Sequence, residues 1–226
     1  MVYSNNYQKI QKGVQRAAAK RGISPQDITL VAISKNVAVK SIQNAYELGI
    51  NNFGENRVQE ALPKIKALPA GIRWHFVGHL QTNKVKFVLP SFSLIHSLDR
   101  YRLAQVLQEE GAKRDQKVDV LLQVNIAGEK SKHGFQQAEV QDVLQEVSTY
   151  SHLRVRGLMT IAPFVPNPEE VRPYFRTLYC LFKSINIPEV EMKYLSMGMT
   201  NDYEVAIEEG SNMIRLGTAL FGDRDQ

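Results

Sequence analysis

The chain has 226 residues, of which 43% are hydrophobic, with a formal net charge of +5 and a single cysteine. This length suits one large domain, and the apolar fraction is enough to bury a substantial core. Because the positive charge is small and mixed with acids along the chain, a nucleic-acid partner is not indicated. No apolar run reaches the roughly 18 residues that a membrane span needs. We therefore predict one domain over residues 1–226, with neither a nucleic-acid nor a membrane partner.

The cysteine and the N-terminus both bear on where the protein works. Cys180 lies in an apolar run over residues 178–182, so we expect a buried structural thiol and no internal disulfide. This favours a reducing compartment, and we expect the cytoplasm. Residues 1–26 are basic, contain no acid and faintly resemble a transit peptide. However, apolar residues recur there at helical spacing and favour a docked first helix: Tyr7, Ile10, Val14 and Ala17.

After this helix, apolar strand patterns alternate with amphipathic helical patterns along the whole chain. Strands are predicted at residues 28–34, 51–54, 72–77, 118–126, 153–159 and 213–216. Residues 94–95 are predicted to lie in a fourth strand, and residues 194–196 to end a seventh. Helices are predicted at residues 37–48, 58–68, 84–89, 99–110, 136–149, 168–185 and 200–208. Gly49 and Gly111 are expected to end two of these helices, and Asp99 is expected to cap the start of one.

The alternation predicts the fold class. Repeated βα units imply a parallel sheet with right-handed crossovers, and eight such units close naturally into a barrel. We therefore predict an α/β protein with a single (β/α)8 TIM-type barrel and an extra N-terminal helix. An open doubly wound sheet is the alternative, but no G-x-G-x-x-G turn follows the first strand.

Lys35 is the sharpest candidate for chemistry. Functional residues of such barrels lie at the C-terminal ends of the strands, and Lys35 directly follows the apolar first strand. An interior environment for its stem would disfavour the ammonium form. A neutral amine in a pocket is the nucleophile that forms a Schiff base with an aldehyde cofactor. A lysine that snorkels to solvent is the alternative.

The segments SMGMT and RLGT, after the seventh strand and around the end of the eighth, are typical of a phosphate site. Thr200 and Asn201 are predicted to open a helix whose first N–H groups point at the anion. Ordinary turn and capping chemistry is the alternative. The hydroxyl donors and glycines that we assign to this site are Ser196, Gly198, Thr200, Gly217 and Thr218.

A metal site is not predicted. His75, His79 and His96 invite one, but the i, i+4 spacing of the first two brings residues together on a helix and not on a strand with its following loop. No cysteine or acid cluster completes a ligand set in the sequence.

Six segments, in order, resemble the YggS/PROSC group of proteins that bind pyridoxal 5′-phosphate (PLP), also called PLP homeostasis proteins. The resemblance runs from about residue 28 to residue 222, and it extends to the barrel domains of alanine racemase and of one class of ornithine decarboxylases. The segments are SKNVAVKSIQNAYELGINNFGENRVQE, WHFVGHLQTNK, NIAGEKSKHGF, GLMTIAP, SMGMTNDYEVAI and IRLGTALFG.

The resemblance implies a role for each candidate residue. Lys35 should carry PLP as a Schiff base, Asn56 should lie beside the ring and Met159 should pack near it. Arg215 should face the pyridine nitrogen, and a permanent cation there would keep that nitrogen unprotonated. The residues that should hold the phosphate are Ser196, Gly198, Thr200, Gly217 and Thr218. The family often has Ser at position 200 and varies at position 133, and the residues present here preserve the roles.

Two functions compete for such a site. PLP is the best electron sink when its ring nitrogen is protonated, and Arg215 would oppose that. Related racemases take a second acid–base residue from another domain and a dimer partner, whereas this chain ends at Gln226, so we expect an open pocket mouth. We predict a monomeric PLP carrier in vitamin B6 and amino-acid homeostasis, without a clear catalytic activity and with apo PLP-enzymes as transient partners. A low-activity PLP-dependent amino-acid racemase is the alternative.

Overall fold

The apolar runs after the first helix form eight parallel strands that close into a barrel. The computed structural model describes residues 2–129 and 132–222, so Lys130 and Ser131 of the NIAGEKSKHGF segment lie outside the described residues. Each strand pairs with the next, and the last pairs with the first through Thr29 opposite Met213 and Ala32 opposite Leu216. The predicted TIM-type barrel is confirmed. The strands are β1 Thr29–Ile33, β2 Asn52–Glu55, β3 Arg73–Phe76, β4 Leu94–Leu98, β5 Val118–Gln123, β6 Leu153–Met159, β7 Tyr194–Ser196 and β8 Met213–Leu216.

Helices cover the outside of the barrel, and short 3₁₀ turns precede several of them. The helices are α1 Val2–Arg21, α2 Val39–Glu47, α3 Val58–Ala67, α4 Val85–Val88, α5 Tyr101–Lys113, α6 Val140–Ser148, α7 Arg172–Ser184, α8 Tyr203–Glu208 and α9 Thr218–Phe221. The 3₁₀ turns are Pro25–Asp27, Thr82–Lys84, Gln137–Glu139 and Pro168–Val171. None of the described helices is both long and apolar enough to cross a membrane.

The predicted N-terminal helix docks on the barrel. Ile10 and Ala17 of α1 are buried, and Lys20 forms an ion pair of 2.6 Å with Glu208 of α8. The amphipathic spacing therefore correctly predicted a docked helix. Part of the positive charge of α1 pairs with acidic residues of α8.

Two predictions around α5 were wrong. The residue that caps α5 is Arg100, not Asp99. The Asp99 carboxylate accepts a hydrogen bond from Arg100 and contacts His79 instead. Gly111 does not end α5 but lies inside it, and a Cβ there would come within 2.9 Å of the carbonyl oxygen of Gln116. The glycine is needed for close packing, and the helix continues to Lys113.

Two further predictions, on α7 and α8, were also wrong. The helix α8 starts at Tyr203 rather than Thr200, because the Asp202 carboxylate accepts the Met199 N–H at 2.6 Å and stabilises a turn before it. Cys180 is exposed rather than buried. An unbroken apolar run on a helix occupies every side of it, so one of its residues must face solvent.

The core has two layers. A small cluster fills the barrel interior, as expected for parallel strands with inward-pointing residues, and a larger one lies between the barrel and the helices. Gly157 of β6 has φ of +148°, and a Cβ there would lie 1.8 Å from the Tyr194 carbonyl oxygen. Only glycine allows β6 and β7 this approach. The interior cluster consists of Val31, Leu94, Leu121, Met159 and Met213.

Candidate functional site

A cavity of about 470 Å³ opens at the C-terminal end of the barrel. This volume is within the usual range for small-molecule sites. Lys35 lies on one side of the cavity and Arg215 also lines it. The loop after β6 contributes a rim in which the Phe164 side chain is 84% exposed. The strand ends of β1 and β8 and the loops after β6 and β7 thus build one pocket.

Three hydrogen-bonded residues behind β1, which we call the clasp, hold the backbone next to Lys35. They are Ser34, Glu55 and Lys64. The Lys64 ammonium on α3 donates to the Ser34 carbonyl oxygen and to Glu55 Oε1, at 2.7 Å each. The Ser34 hydroxyl also donates to Glu55 Oε1, at 2.7 Å. Asn36 has φ of +55°, a left-handed conformation that is uncommon outside glycine. The backbone on both sides of the half-buried Lys35 is therefore constrained.

Three residues of the predicted phosphate site line the same cavity as Lys35. They are Thr200, Gly217 and Thr218. Both threonines are exposed, and the Thr200 hydroxyl accepts the Ala219 N–H at 3.2 Å. This interaction links the loop after β7 to the start of α9. Two hydroxyl groups and a side-chain-free backbone position suit a phosphate, which needs donors that approach closely.

Arg215 is a buried cation in contact with this cavity. Its guanidinium donates to the Ser196 hydroxyl at 2.7 Å and to the Thr160 carbonyl oxygen at 2.8 Å. Burial lowers the pKa of Arg215 to about 10, and the neighbouring Asp202 carboxylate opposes this shift. Arg215 is therefore charged at neutral pH. Burial raises the pKa of Asp202, while the Met199 N–H and Arg215 favour its charged form.

The other predicted residues lie outside the cavity lining. Met159 is fully buried in the barrel interior, and the Ser196 hydroxyl is occupied by Arg215 and His96. Gly198 packs against α8, since a Cβ there would lie 2.6 Å from the Ala206 Cβ. Asn56 lines a different cavity, and its buried Oδ1 has no hydrogen-bond partner among the described residues.

The histidines separate into two groups. His75 and His96 contact each other inside the barrel, where both are buried. His79 lies at the mouth, where its Nδ1 is 2.7 Å from Asp99 Oδ2, and His133 Nδ1 is 3.8 Å from the same oxygen. The rings of His79 and His133 stack at 4.1 Å with an interplanar angle of 21°.

This second group was not foreseen, because sequence spacing does not connect the loops after β3, β4 and β5. Two histidines and an acid have the composition of a metal site. However, an imidazole nitrogen directs its lone pair in the ring plane, so stacked rings point their lone pairs side by side rather than towards one ion. The absence of a metal at His75, His79 and His96 stays a prediction.

Sequence reasoning also missed Asp202 and the clasp behind Lys35. Glu55 belongs to the FGEN motif and directly precedes Asn56. This position beside a predicted site residue is the only signal in the sequence that could have identified Glu55. Nothing in the pattern indicates that Lys64, nine positions later on α3, reaches back to it.

The residues present fit PLP by their chemistry. An aldehyde requires an amine, a phosphate requires hydroxyl and backbone donors, and a pyridine nitrogen kept unprotonated requires a neighbouring cation. The cavity offers one of each, in Lys35, in Thr200 with Thr218, and in Arg215.

Comparison with known proteins agrees with this chemistry. A family model described as "Alanine racemase, N-terminal domain" matches residues 6–225. A pyridoxal phosphate homeostasis protein of Aquifex aeolicus (strain VF5) is 42% identical over 218 residues, which cover 96% of each chain. The chain belongs to the pyridoxal phosphate homeostasis protein family. The member from Escherichia coli (strain K12) is 38% identical over 228 residues, or 98% of this chain and 97% of the relative.

Several solved structures are similar to this barrel. PipY of Synechococcus elongatus PCC7942 without PLP matches with a TM-score of 0.83 and 34% identity over 92% of this chain and 99% of PipY. PipY with PLP bound matches with a TM-score of 0.78 over 93% and 100%. An alanine racemase of Clostridium difficile 630 has a TM-score of 0.74 at 14% identity over 100% of this chain and 56% of the racemase, which shows a shared fold alone. The resemblance predicted from the six segments is confirmed.

Proposed function

We propose that this family member binds PLP as a Schiff base on Lys35 and serves as a carrier in PLP homeostasis. The observation that carries the proposal is that Lys35, Arg215 and the Thr200–Thr218 pair line one cavity. The names of the relatives and the PLP-bound PipY structure support the choice of ligand. When bound, PLP would supply an aldehyde and an electron-withdrawing pyridine ring.

Different residues of this chain would bind different parts of the ligand. Lys35 provides the amine, and the clasp of Ser34, Glu55 and Lys64 fixes the backbone from which it projects. Thr200 and Thr218 provide hydroxyl donors for the phosphate. Met159, Ser196, Gly198 and Asn56 lie outside the lining of this cavity, and the roles that the resemblance implies for them stay predictions.

A carrier fits the cavity better than an enzyme. Among the described residues of the lining, the titratable ones are Lys35, Asp202 and Arg215. A two-base racemase needs an acid–base group besides its lysine, and here one Asp202 oxygen already accepts the Met199 N–H at 2.6 Å. The exposed Phe164 marks a mouth open to water, which is unfavourable for carbanion chemistry.

Two experiments on the purified protein separate these functions. We expect PLP-loaded protein to activate a PLP-free enzyme faster than the same concentration of free PLP mixed with the Lys35→Ala variant. In deuterated water with single L-amino acids, NMR should show no α-proton exchange at catalytic turnover. Rapid exchange would instead establish the racemase alternative.

The proposal also includes a monomer in the cytoplasm with apo PLP-enzymes as transient partners. One exposed cysteine is compatible with a reducing compartment, where it stays a free thiol. Light scattering of the PLP-loaded protein, alone and with a PLP-free enzyme, tests the monomer and the transient complex.

A further inference from the structure

A chain of buried side chains crosses the barrel beneath the cavity. Arg215 contacts the Ser196 hydroxyl at 2.7 Å, and this hydroxyl lies 3.1 Å from His96 Nδ1. His96 Nε2 is 2.9 Å from His75 Nδ1, and His75 Nε2 is 3.1 Å from the Asn52 side-chain oxygen. The far end reaches a second cavity at the opposite end of the barrel, which His75 and Asn52 line.

The two ends of this chain fix the direction of its hydrogen bonds. A guanidinium can only donate, and an amide oxygen can only accept. Ser196 therefore accepts from Arg215 and donates its single proton to His96 Nδ1. His96 then carries its proton on Nε2 and donates to His75 Nδ1. His75 in turn donates from Nε2 to Asn52.

The opposite direction leaves conflicts at both ends. If His96 donated from Nδ1 to Ser196, the Ser196 oxygen would accept two hydrogen bonds, one from Arg215 and one from His96. The Ser196 O–H would then have no acceptor among the residues of this chain of contacts. His75 would then present a lone pair to the oxygen of Asn52. A buried polar group without its partner is destabilising, so the one-way arrangement is favoured.

We propose that His96 is a positioning residue that orients Arg215 through the hydroxyl of Ser196. This inference rests on the proposed function, because it concerns the cation that faces the ligand. Arg215 is held at two points, by Ser196 and by the Thr160 carbonyl oxygen. A guanidinium fixed in this way stays directed at one edge of the cavity.

Burial and the neighbouring cations favour the neutral forms of His75 and His96. Burial and Arg73 lower the pKa of His75 to about 4. Burial, His75 and Arg215 lower the pKa of His96 well below its ordinary value. A second proton on either ring would place its N–H against a group that already donates to that nitrogen. Both rings therefore stay neutral and in one tautomer.

The direct test is a long-range ¹H–¹⁵N NMR spectrum of protein labelled with ¹⁵N-histidine at neutral pH. The chain has five histidines, so His75→Asn and His96→Asn spectra assign the two signals. We expect both rings to carry the proton on Nε2 and to show an unprotonated Nδ1. A proton on Nδ1 of His96 would overturn the proposal, and this measurement needs neither PLP nor a binding assay.

A pair of matched variants tests the effect on the ligand. Ser196→Ala removes the link between Arg215 and His96. Ser97→Ala makes the same change beside His96 on β4, where the buried hydroxyl has no hydrogen-bond partner in the described part of the chain. In titrations of the PLP-free proteins we expect Ser196→Ala to weaken PLP binding about fivefold, equivalent to one lost hydrogen bond. Ser97→Ala should bind like the parent protein.

The outcomes distinguish this inference from the proposed function. Equal affinities for Ser196→Ala and Ser97→Ala would contradict a positioning role while leaving PLP binding intact. Failure of the parent protein to bind PLP would instead contradict the proposed function. The tautomers would then still establish or refute the one-way chain on their own.

Discussion

In the clasp behind Lys35, one substitution should reduce stability strongly. Lys64→Met removes an ammonium that is 2.7 Å from Glu55 Oε1, in a pair whose side chains are 11% and 0% exposed. Glu55 would keep only the Ser34 hydroxyl, because its Oε2 is already buried without a partner among the described residues. Removing one partner of a buried ion pair costs about 3–5 kcal/mol. We expect the free energy of unfolding to fall by about that amount.

Urea denaturation followed by circular dichroism measures this loss, and the chain offers a matched control. Lys113 also lies 2.7 Å from a glutamate, Glu110, but its side chain is 65% exposed. Lys113→Met should leave the unfolding midpoint nearly unchanged, because exposed pairs contribute little. The double variant Glu55→Gln with Lys64→Met should recover part of the loss, since it removes the unpaired charge. If Lys64→Met and Lys113→Met shift the midpoint equally, the clasp does not stabilise the site.

The remaining predictions concern the pH dependence of stability, substitutions of two glycines and the reactivity of the Cys180 thiol. The folded-state pKa of His75, lowered to about 4, lies below the ordinary 6.5. The unfolded chain therefore binds more protons in this window, and stability should fall by roughly 3 kcal/mol as pH drops through it. His75→Asn should reduce that slope in urea titrations from pH 7 to pH 4, and the part due to His96 should remain. An unchanged slope would refute the assignment. Gly157→Ala should prevent folding or lower the thermal midpoint sharply. Gly128→Ala should lower it much less, because a Cβ there meets open space and adds only the strain of a φ of +68°. Cys180 should react with Ellman's reagent in the native protein, and a thiol that reacts only after denaturation would contradict its exposure.

The sequence predicted the architecture because parallel barrel strands are buried on both sides and so read as short apolar runs. The predicted bounds of the sixth and eighth strands match β6 and β8, and the predicted end of the seventh matches the end of β7. Lys35 could be identified for the same reason, since a polar residue that directly follows such a strand lies at the mouth of the barrel.

The errors and omissions arise where side chains from distant parts of the chain meet. Asp99 is a residue type that often caps helices, but its carboxylate contacts the adjacent Arg100 and also His79, which lies twenty positions earlier. The phosphate role of Ser196 stays a prediction, and nothing in its motif indicates that its hydroxyl contacts Arg215 and also His96, which lies a hundred positions earlier. Periodicity reports which face of an element is buried, and it carries no information about such pairings.

The most direct test is reduction of the PLP-loaded protein with borohydride, followed by peptide mapping with mass spectrometry. The residue that bears the pyridoxyl group identifies the amine that condenses with the aldehyde. We predict a single modified lysine at position 35 and no visible absorption in Lys35→Ala. Modification of another lysine, or none, would contradict the account of the site.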